Sequence, residues 1–185
     1  MADEAEALRE RLDSFIGQPL SGGPAVSPDP VNTVMIRHWV DALDDRNPVY
    51  LDEEVAEATR FGGVVAPPAM LQTWTMPRPQ IEGLAERGGA PGEMSTSPLT
   101  VLNDAGFAAT VATNSELEFE RYLRPGDRLQ SVTVIESISV EKSTALGPGY
   151  FVTWVTTHTD EHDEVVGRQR FRVLKFNPDR SGDGP

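Results

Sequence analysis

The chain contains no cysteine, which excludes disulfides, thiolate nucleophiles and cysteine-built zinc sites and is compatible with a reducing compartment. Cationic side chains are scarce as well: 16 Lys and Arg face 29 Asp and Glu over 185 residues, a net charge of -13. Nothing in that balance offsets repulsion from phosphates, so nucleic acid is excluded as a partner class. Long apolar runs are missing too, since none approaches the roughly 20 residues needed to span a bilayer. The opening MADEAEALRERLDSF is acidic and amphipathic, without the cationic and apolar pattern of a signal peptide. The expectation is a soluble cytoplasmic protein. It also lacks a Gly-rich phosphate loop, a P-loop and a G-x-S-x-G elbow.

What is present follows two periods. Residues 3 to about 16 carry Leu8, Leu12, Phe15 and Ile16 at helical spacing, which predicts an N-terminal helix. GQPLSGGPAVSPDP reads as a linker. NTVMIRHWVDALDD predicts a second helix capped by Asn32 or Thr33, with Met35, Trp39, Ala42 and Leu43 as its apolar face and His38 bordering it. Asn47-Pro48 forces a turn. A short helix is expected to restart at Asp52, whose carboxylate can cap it, and to stop at Gly62-Gly63.

VVAPPAMLQTWTMP then predicts a buried helix. Pro67 and Pro68 suit its first turn, Ala69 to Met76 is apolar nearly all round, and Pro77 and Pro79 prevent its continuation. Residues 77 to about 105 form the least regular stretch. From Gly106 the period becomes two: FAATVATNSELEFERYL, RLQSVTVIESISV, GYFVTWVTTHTD and EVVGRQRFRVLKF predict four antiparallel strands in a meander, with Pro125-Gly126 at the centre of a type II turn.

Helices first, strands after and one apolar helix between them predict an α+β domain, an antiparallel sheet wrapped around a short central helix with an N-terminal helix added. This is the hot-dog arrangement. The expected division is an N-terminal helix and linker over 1–24, the hot-dog domain over 25–176 and a polar tail or linker over 177–185.

DDRNPVYLDEE, FGGVVAPPAM and ERYLRPGDRL, in this order and spacing, resemble the MaoC-like dehydratase family across roughly residues 25 to 176. VVAPPAMLQTWTMP, NDAGFAATVATN, RYLRPGD and RVLKF look like the larger, catalytically degenerate subunit of heteromeric steroid side-chain enoyl-CoA hydratases of actinobacteria. The resemblance implies hydration of a trans-2-enoyl-CoA. It implies no cofactor, because the CoA thioester is the substrate. It also implies a small hot-dog partner subunit, and beyond it an acyl-CoA-associated domain with an oligonucleotide-binding-type barrel and a thiolase-like aldolase.

Active members of that family carry Asp-x-Asn-Pro-x-His, and here the motif is Asp45-Arg46-Asn47-Pro48-Val49-Tyr50. Hydration needs a base for water, an acid for the alpha carbon and a donor for the enolate oxygen. A tyrosine, with an ordinary pKa of about 10, donates hydrogen bonds but is a poor base at neutral pH. Tyr50 therefore disables this copy of the site by resemblance, and the partner supplies Asp and His. Asp45 is a catalytic candidate with a plain structural alternative, holding backbone N–H groups of the Asn-Pro turn.

Asn47, Tyr50, Pro68, Met70 and Trp74 are the substrate-binding candidates. The short helix would leave a wide pocket for a bulky acyl group, unless residues 77 to 105 fold back into the space. Arg168, Arg170 and Arg172, alternating on the last strand, are candidates for CoA phosphates or for a solvated face that discourages edge pairing. Arg121 and Arg124 are weaker ones. His158 and His162 with Asp160 and Asp163 lack compelling metal-ligand spacing and read as exposed turn residues. Two other readings stay open: a non-catalytic scaffold, and a self-sufficient acyl-CoA hydratase or thioesterase that uses Asp45.

Overall fold

The computed structural model describes residues 2–20, 23–76, 82 and 97–180. Its frame is an antiparallel sheet: β1 (Ala25–Val26), β2 (Ala109–Phe119), β3 (Gln130–Ile138), β4 (Lys142–Thr144), β5 (Gly147–Thr159) and β6 (Val165–Phe176). The spatial order is β1-β3-β5-β6-β2, with β4 paired to β5. The α+β hot-dog arrangement is present, but the strands are not a simple meander. β2 pairs with β6 at the far edge and does not touch β3.

The connection from β2 to β3 makes that crossover. Pro125-Gly126 turns it, with Gly126 at φ 102 and a hydrogen bond from Asp127 N–H to the Arg124 carbonyl at 3.0 Å, as a type II turn requires. Arg121 braces the crossover by pairing with Asp127 at 2.6 Å and with Asp160, in the β5–β6 turn, at 2.9 Å. Register shifts in β2, β3 and at the β5–β6 pairing bend the sheet around its helix.

The helices follow their capping signals more closely than their apolar stripes. In α1 (Ala2–Asp13), Leu12 is fully buried against Val101, Leu102, Phe107 and Ile135, while Ile16 beyond its end is exposed. Arg9 ties α1 to the sheet, donating to the carbonyls of Ile138 at 3.1 Å and Ser139 at 2.7 Å and pairing with Asp13. Asn32 caps α2 (Thr33–Leu43) by accepting from Met35 N–H at 2.9 Å. Its buried residues are Ile36 and Val40; Met35, Ala42 and Leu43 are exposed, Trp39 is half-buried and His38 is exposed. The stripe expected from the sequence is therefore displaced by one position, because the neighbouring core selects between two apolar stripes. Asp52 caps α3 (Glu53–Glu57) as expected, through Val55 N–H at 3.0 Å.

Two stretches read as irregular are ordered. Residues 17–20 and 23–27 lie along the outer edge of β3. Gly17 N–H donates to Ile135 O at 2.8 Å, Leu20 N–H to Thr133 O at 2.8 Å and Ser27 N–H to Leu129 O at 2.8 Å, and β1 pairs with Gln130 and Ser131. The edge of β3 offers backbone groups that need partners, and a Gly/Pro-rich segment supplies them without showing a period. Residues 98–104, within the stretch expected to be loop, form α4 (Pro98–Asp104), capped by the buried Ser97.

The central helix is a 3-10 helix over Pro68–Thr75 with Met70, Leu71, Trp74 and Thr75 buried. Gln72 and Met76 face outward, so it is not apolar all round. Leu71 lies on Gly167 of β6, where an added Cβ would meet Leu71 Cδ2 at 2.7 Å, and Thr75 Oγ1 accepts from Ser131 Oγ of β3 at 3.0 Å. The helix thus crosses the concave face of the sheet from β6 to β3. Its core (Met70, Leu71, Trp74, Ile36, Leu129, Val166) is separate from the second core built by α1 and α4. Prolines 77 and 79, the rest of the 77–96 segment except Glu82, and residues 181–185 of the expected tail lie outside the described residues. Among the described residues no helix is long and apolar enough to cross a membrane.

Candidate active site

The Asn-Pro motif sits where α2 ends. Asp44 caps α2 in the left-handed region at φ 51, and Asp45 N–H returns to Val40 O at 2.9 Å. Asp45 Oδ1 accepts from Asn47 N–H at 3.0 Å, and Asn47 Oδ1 accepts from Val49 N–H at 3.3 Å to start a 3-10 turn over Pro48–Tyr50. The Asp45 carboxylate therefore holds the turn, as its structural alternative proposes.

Tyr50 is half-buried and packs, with Trp39, Phe61 and Tyr122, on the core that contains Met70 and Trp74. The Phe61 and Tyr122 rings meet with centroids 4.6 Å apart. Burial pushes the Tyr50 phenol above its ordinary pKa, and the nearby Tyr122 and Asp45 push the same way. Tyr50 is protonated at neutral pH, so it can donate a hydrogen bond but cannot act as a base.

The structure gathers Tyr50, Met70 and Trp74 into one cluster, with Pro68 half-buried and Asn47 exposed. Met70 is fully buried, and Trp74 is buried with its Nε1–H lacking an acceptor among the described residues. A buried donor left this way costs about 1–3 kcal/mol.

The three arginines of the last strand lie on the opposite, convex face. Arg168 pairs with Glu120 at 3.0 Å, and Arg170 with Glu136 at 2.6 Å and Glu116 at 3.7 Å. Arg172 reaches Thr113 and Asn114 and covers the Phe151 ring at 5.2 Å. Arg168 and Arg170 form a lattice with carboxylates, Arg172 pairs with neutral groups, and all three lie apart from the Asn-Pro motif. Arg121 is committed to Asp127 and Asp160, and Arg124 donates to the Phe61 carbonyl.

His158 is not an exposed turn residue. It is 1% exposed on the concave face between Ser131 and Gly167, and neither ring nitrogen has a hydrogen-bond partner among the described residues. Burial drives its pKa down to about 4, so it is neutral and out of solvent's reach. His162 is exposed. Among the described residues no group of three or more His, Asp or Glu could hold a metal ion.

Two features escaped the sequence reading. Tyr122 stands inside the RYLRPGD motif, whose arginines carry the stronger sequence signal. Lys175 is 3% exposed and donates to three neutral acceptors, Asn103 Oδ1, Ala108 O and Thr110 Oγ1; no sequence signal marks it.

The FAS1-like dehydratase domain region matches residues 14–169, most of the chain. The chain belongs to this family, a MaoC-like one. The chain is 44% identical over 184 residues to a probable enoyl-CoA hydratase alpha subunit of Thermomonospora curvata, covering 95% of this chain and 54% of that protein. It is 40% identical over 175 residues to the 3-oxo-4,17-pregnadiene-20-carboxyl-CoA hydratase alpha subunit of Mycobacterium tuberculosis, covering 90% of this chain and 52% of that one. It therefore spans about half the length of these curated relatives. Among solved structures it resembles a chain of the ChsH1-ChsH2 complex from Mycobacterium tuberculosis, with TM-score 0.79, 35% identity and coverage of 94% of this chain and 93% of that one.

Proposed function

We propose that this FAS1-like dehydratase domain is the acyl-binding, base-deficient part of a heteromeric enoyl-CoA hydratase. A small hot-dog subunit supplies the catalytic Asp and His. Water adds across the conjugated double bond of a bulky, steroid side-chain trans-2-enoyl-CoA: its oxygen bonds to the beta carbon, the alpha carbon gains a proton, and a beta-hydroxyacyl-CoA results.

The observation that carries this reading is Tyr50. It replaces the family histidine, its phenol is held protonated, and the adjacent Asp45 is bonded to the turn backbone. Neither His38, exposed on α2, nor the enclosed His158 substitutes for it at the motif. The alpha-subunit names of the relatives and the two-component complex of the structural neighbour support a partner. So does the sheet: residues 17–20 and 23–27 close the β3 edge, while among the described residues nothing pairs with the outer edge of the eleven-residue β2. An open edge of that length is a template for another chain.

The test is co-expression with a small hot-dog subunit bearing Asp and His, followed by hydration of a steroid side-chain enoyl-CoA. The complex should turn over, the chain alone should not, and Tyr50→Phe or Asp45→Asn should leave the rate of the complex within about threefold, because neither group moves a proton in this scheme. Hydration by the purified chain alone, abolished by Asp45→Asn, would overturn the proposal.

A further inference from the structure

The side chains of β2 restrict what can pair with its outer edge. The register puts Leu117 opposite Gln169 and Phe119 opposite Gly167, so both stand on the concave face, where Leu71 of the central helix meets Gly167. Leu117 packs on the central-helix core, whereas Phe119 is 44% exposed. Glu116 and Glu118 stand on the convex face opposite Arg170 and Arg168, and Glu120 continues that row just past the strand. The end of β2 is therefore apolar on one side and acidic on the other.

The acidic row is only partly neutralised. Arg168 pairs with Glu120, while Arg170 lies closer to Glu136, at 2.6 Å, than to Glu116, at 3.7 Å. Glu118 is exposed and makes no ion pair among the described residues. The first half of the strand is shielded in another way. Thr113 is an extra residue between Ala112 and Asn114, and its Oγ1 donates to the Arg172 carbonyl at 3.1 Å. Such a bulge twists an edge away from a regular ladder. An incoming strand is thus confined to residues 114–119, beside the glutamates.

A second copy of this chain pairs badly there. Antiparallel self-pairing about a two-fold axis at Leu117 sets Glu116 of each copy opposite Glu118 of the other, and an axis at Glu116 or Glu118 sets that glutamate against itself. Directly opposed side chains lie about 4.5–5.5 Å apart, and like charges at that spacing destabilise the pair.

We propose that the acidic row of β2 selects the partner: it rejects a second copy of this chain and accepts an edge strand that alternates apolar residues with Lys or Arg. The apolar residues of that strand meet Leu117 and Phe119, and its cations face Glu116, Glu118 and Glu120. The heteromer reading supplies the existence of a partner; its selection rests on the register and the charges.

Glu118 is the residue to change, because it is exposed and stands outside the ion-pair lattice. The unaltered chain and a differently tagged variant are co-expressed with a limiting amount of the small hot-dog subunit, and both are quantified in the purified complex by mass spectrometry. The unaltered chain should outnumber Glu118→Gln about threefold, for one lost attraction, and Glu118→Lys about tenfold, for attraction turned into repulsion. Reversing the facing Lys or Arg of the small subunit to Glu should invert the preference, which a merely structural role of Glu118 would not do. Without the small subunit, a chain carrying both Glu116→Gln and Glu118→Gln should self-associate at least about fivefold more tightly than the unaltered chain by sedimentation equilibrium.

Equal incorporation of the two chains, a preference that survives reversal of the facing cation, a partner edge without Lys or Arg, or self-association indifferent to the neutralised glutamates overturns the selection. A charge-dependent complex that hydrates no enoyl-CoA leaves the selection standing and removes the hydratase reading. Hydration by a complex indifferent to Glu118→Lys does the reverse.

Discussion

His158 sets a measurable pH dependence on folding. In the folded state its pKa is about 4, because the ring is enclosed and has no hydrogen-bond partner, whereas in the unfolded chain it titrates near 6.5. The unfolded state therefore holds more protons between these values, and stability falls as pH falls through that window. The full loss is about 3 kcal/mol, complete only below pH 4; about 2 kcal/mol is already lost at pH 5. His158→Leu removes the titration and replaces an unsatisfied polar ring with an apolar group, so it should be near-neutral or mildly stabilising at pH 7.5. Urea unfolding of the two proteins at pH 7.5, 6 and 5 measures it. Subtracting one from the other cancels the carboxylate background, and the advantage of His158→Leu should grow by about 2 kcal/mol from pH 7.5 to pH 5. A difference that stays constant within about 0.5 kcal/mol would show that His158 titrates normally and would refute the reasoning.

Gly167→Ala places a Cβ 2.7 Å from Leu71 Cδ2 and 2.7 Å from the Glu118 carbonyl, a clash that includes backbone. It should cost about 2 kcal/mol and lower Tm by about 4–8 °C in a thermal melt. Arg121→Ala strands the buried Asp160 and releases the β2–β3 crossover, with an expected loss of about 1–2 kcal/mol at pH 7 by chemical denaturation. Arg121 holds the Asp160 carboxyl below its ordinary pKa, so this contribution is complete above that ordinary value and should shrink as pH falls below about 4. Asp45→Ala should cost about 1 kcal/mol in urea unfolding through the lost acceptor for Asn47 N–H, and Asp45→Asn, which keeps an acceptor, markedly less.

Local chemistry by itself determined a good part of this protein. Asn32 and Asp52 cap their helices because a short oxygen-bearing side chain meets the free N–H groups of its own first turn. Pro125-Gly126 turns because φ is fixed at one residue and free at the next. β3, β5 and β6 stand where period two placed them, and the Asn-Pro motif with tyrosine for histidine was readable residue by residue.

Tertiary structure alone decided whatever depends on a distant partner. It chose Ile36 and Val40 over Met35 and Leu43, sent β2 to the far edge and laid residues 17–20 and 23–27 along β3. It enclosed His158 beneath the central helix and paired the arginine stripe with Glu116, Glu120 and Glu136 from neighbouring strands. The transverse rows of side chains on the concave face exist only in the register of four strands drawn from residues 109 to 176, because cross-strand neighbours are set by hydrogen-bond ladders and not by sequence proximity.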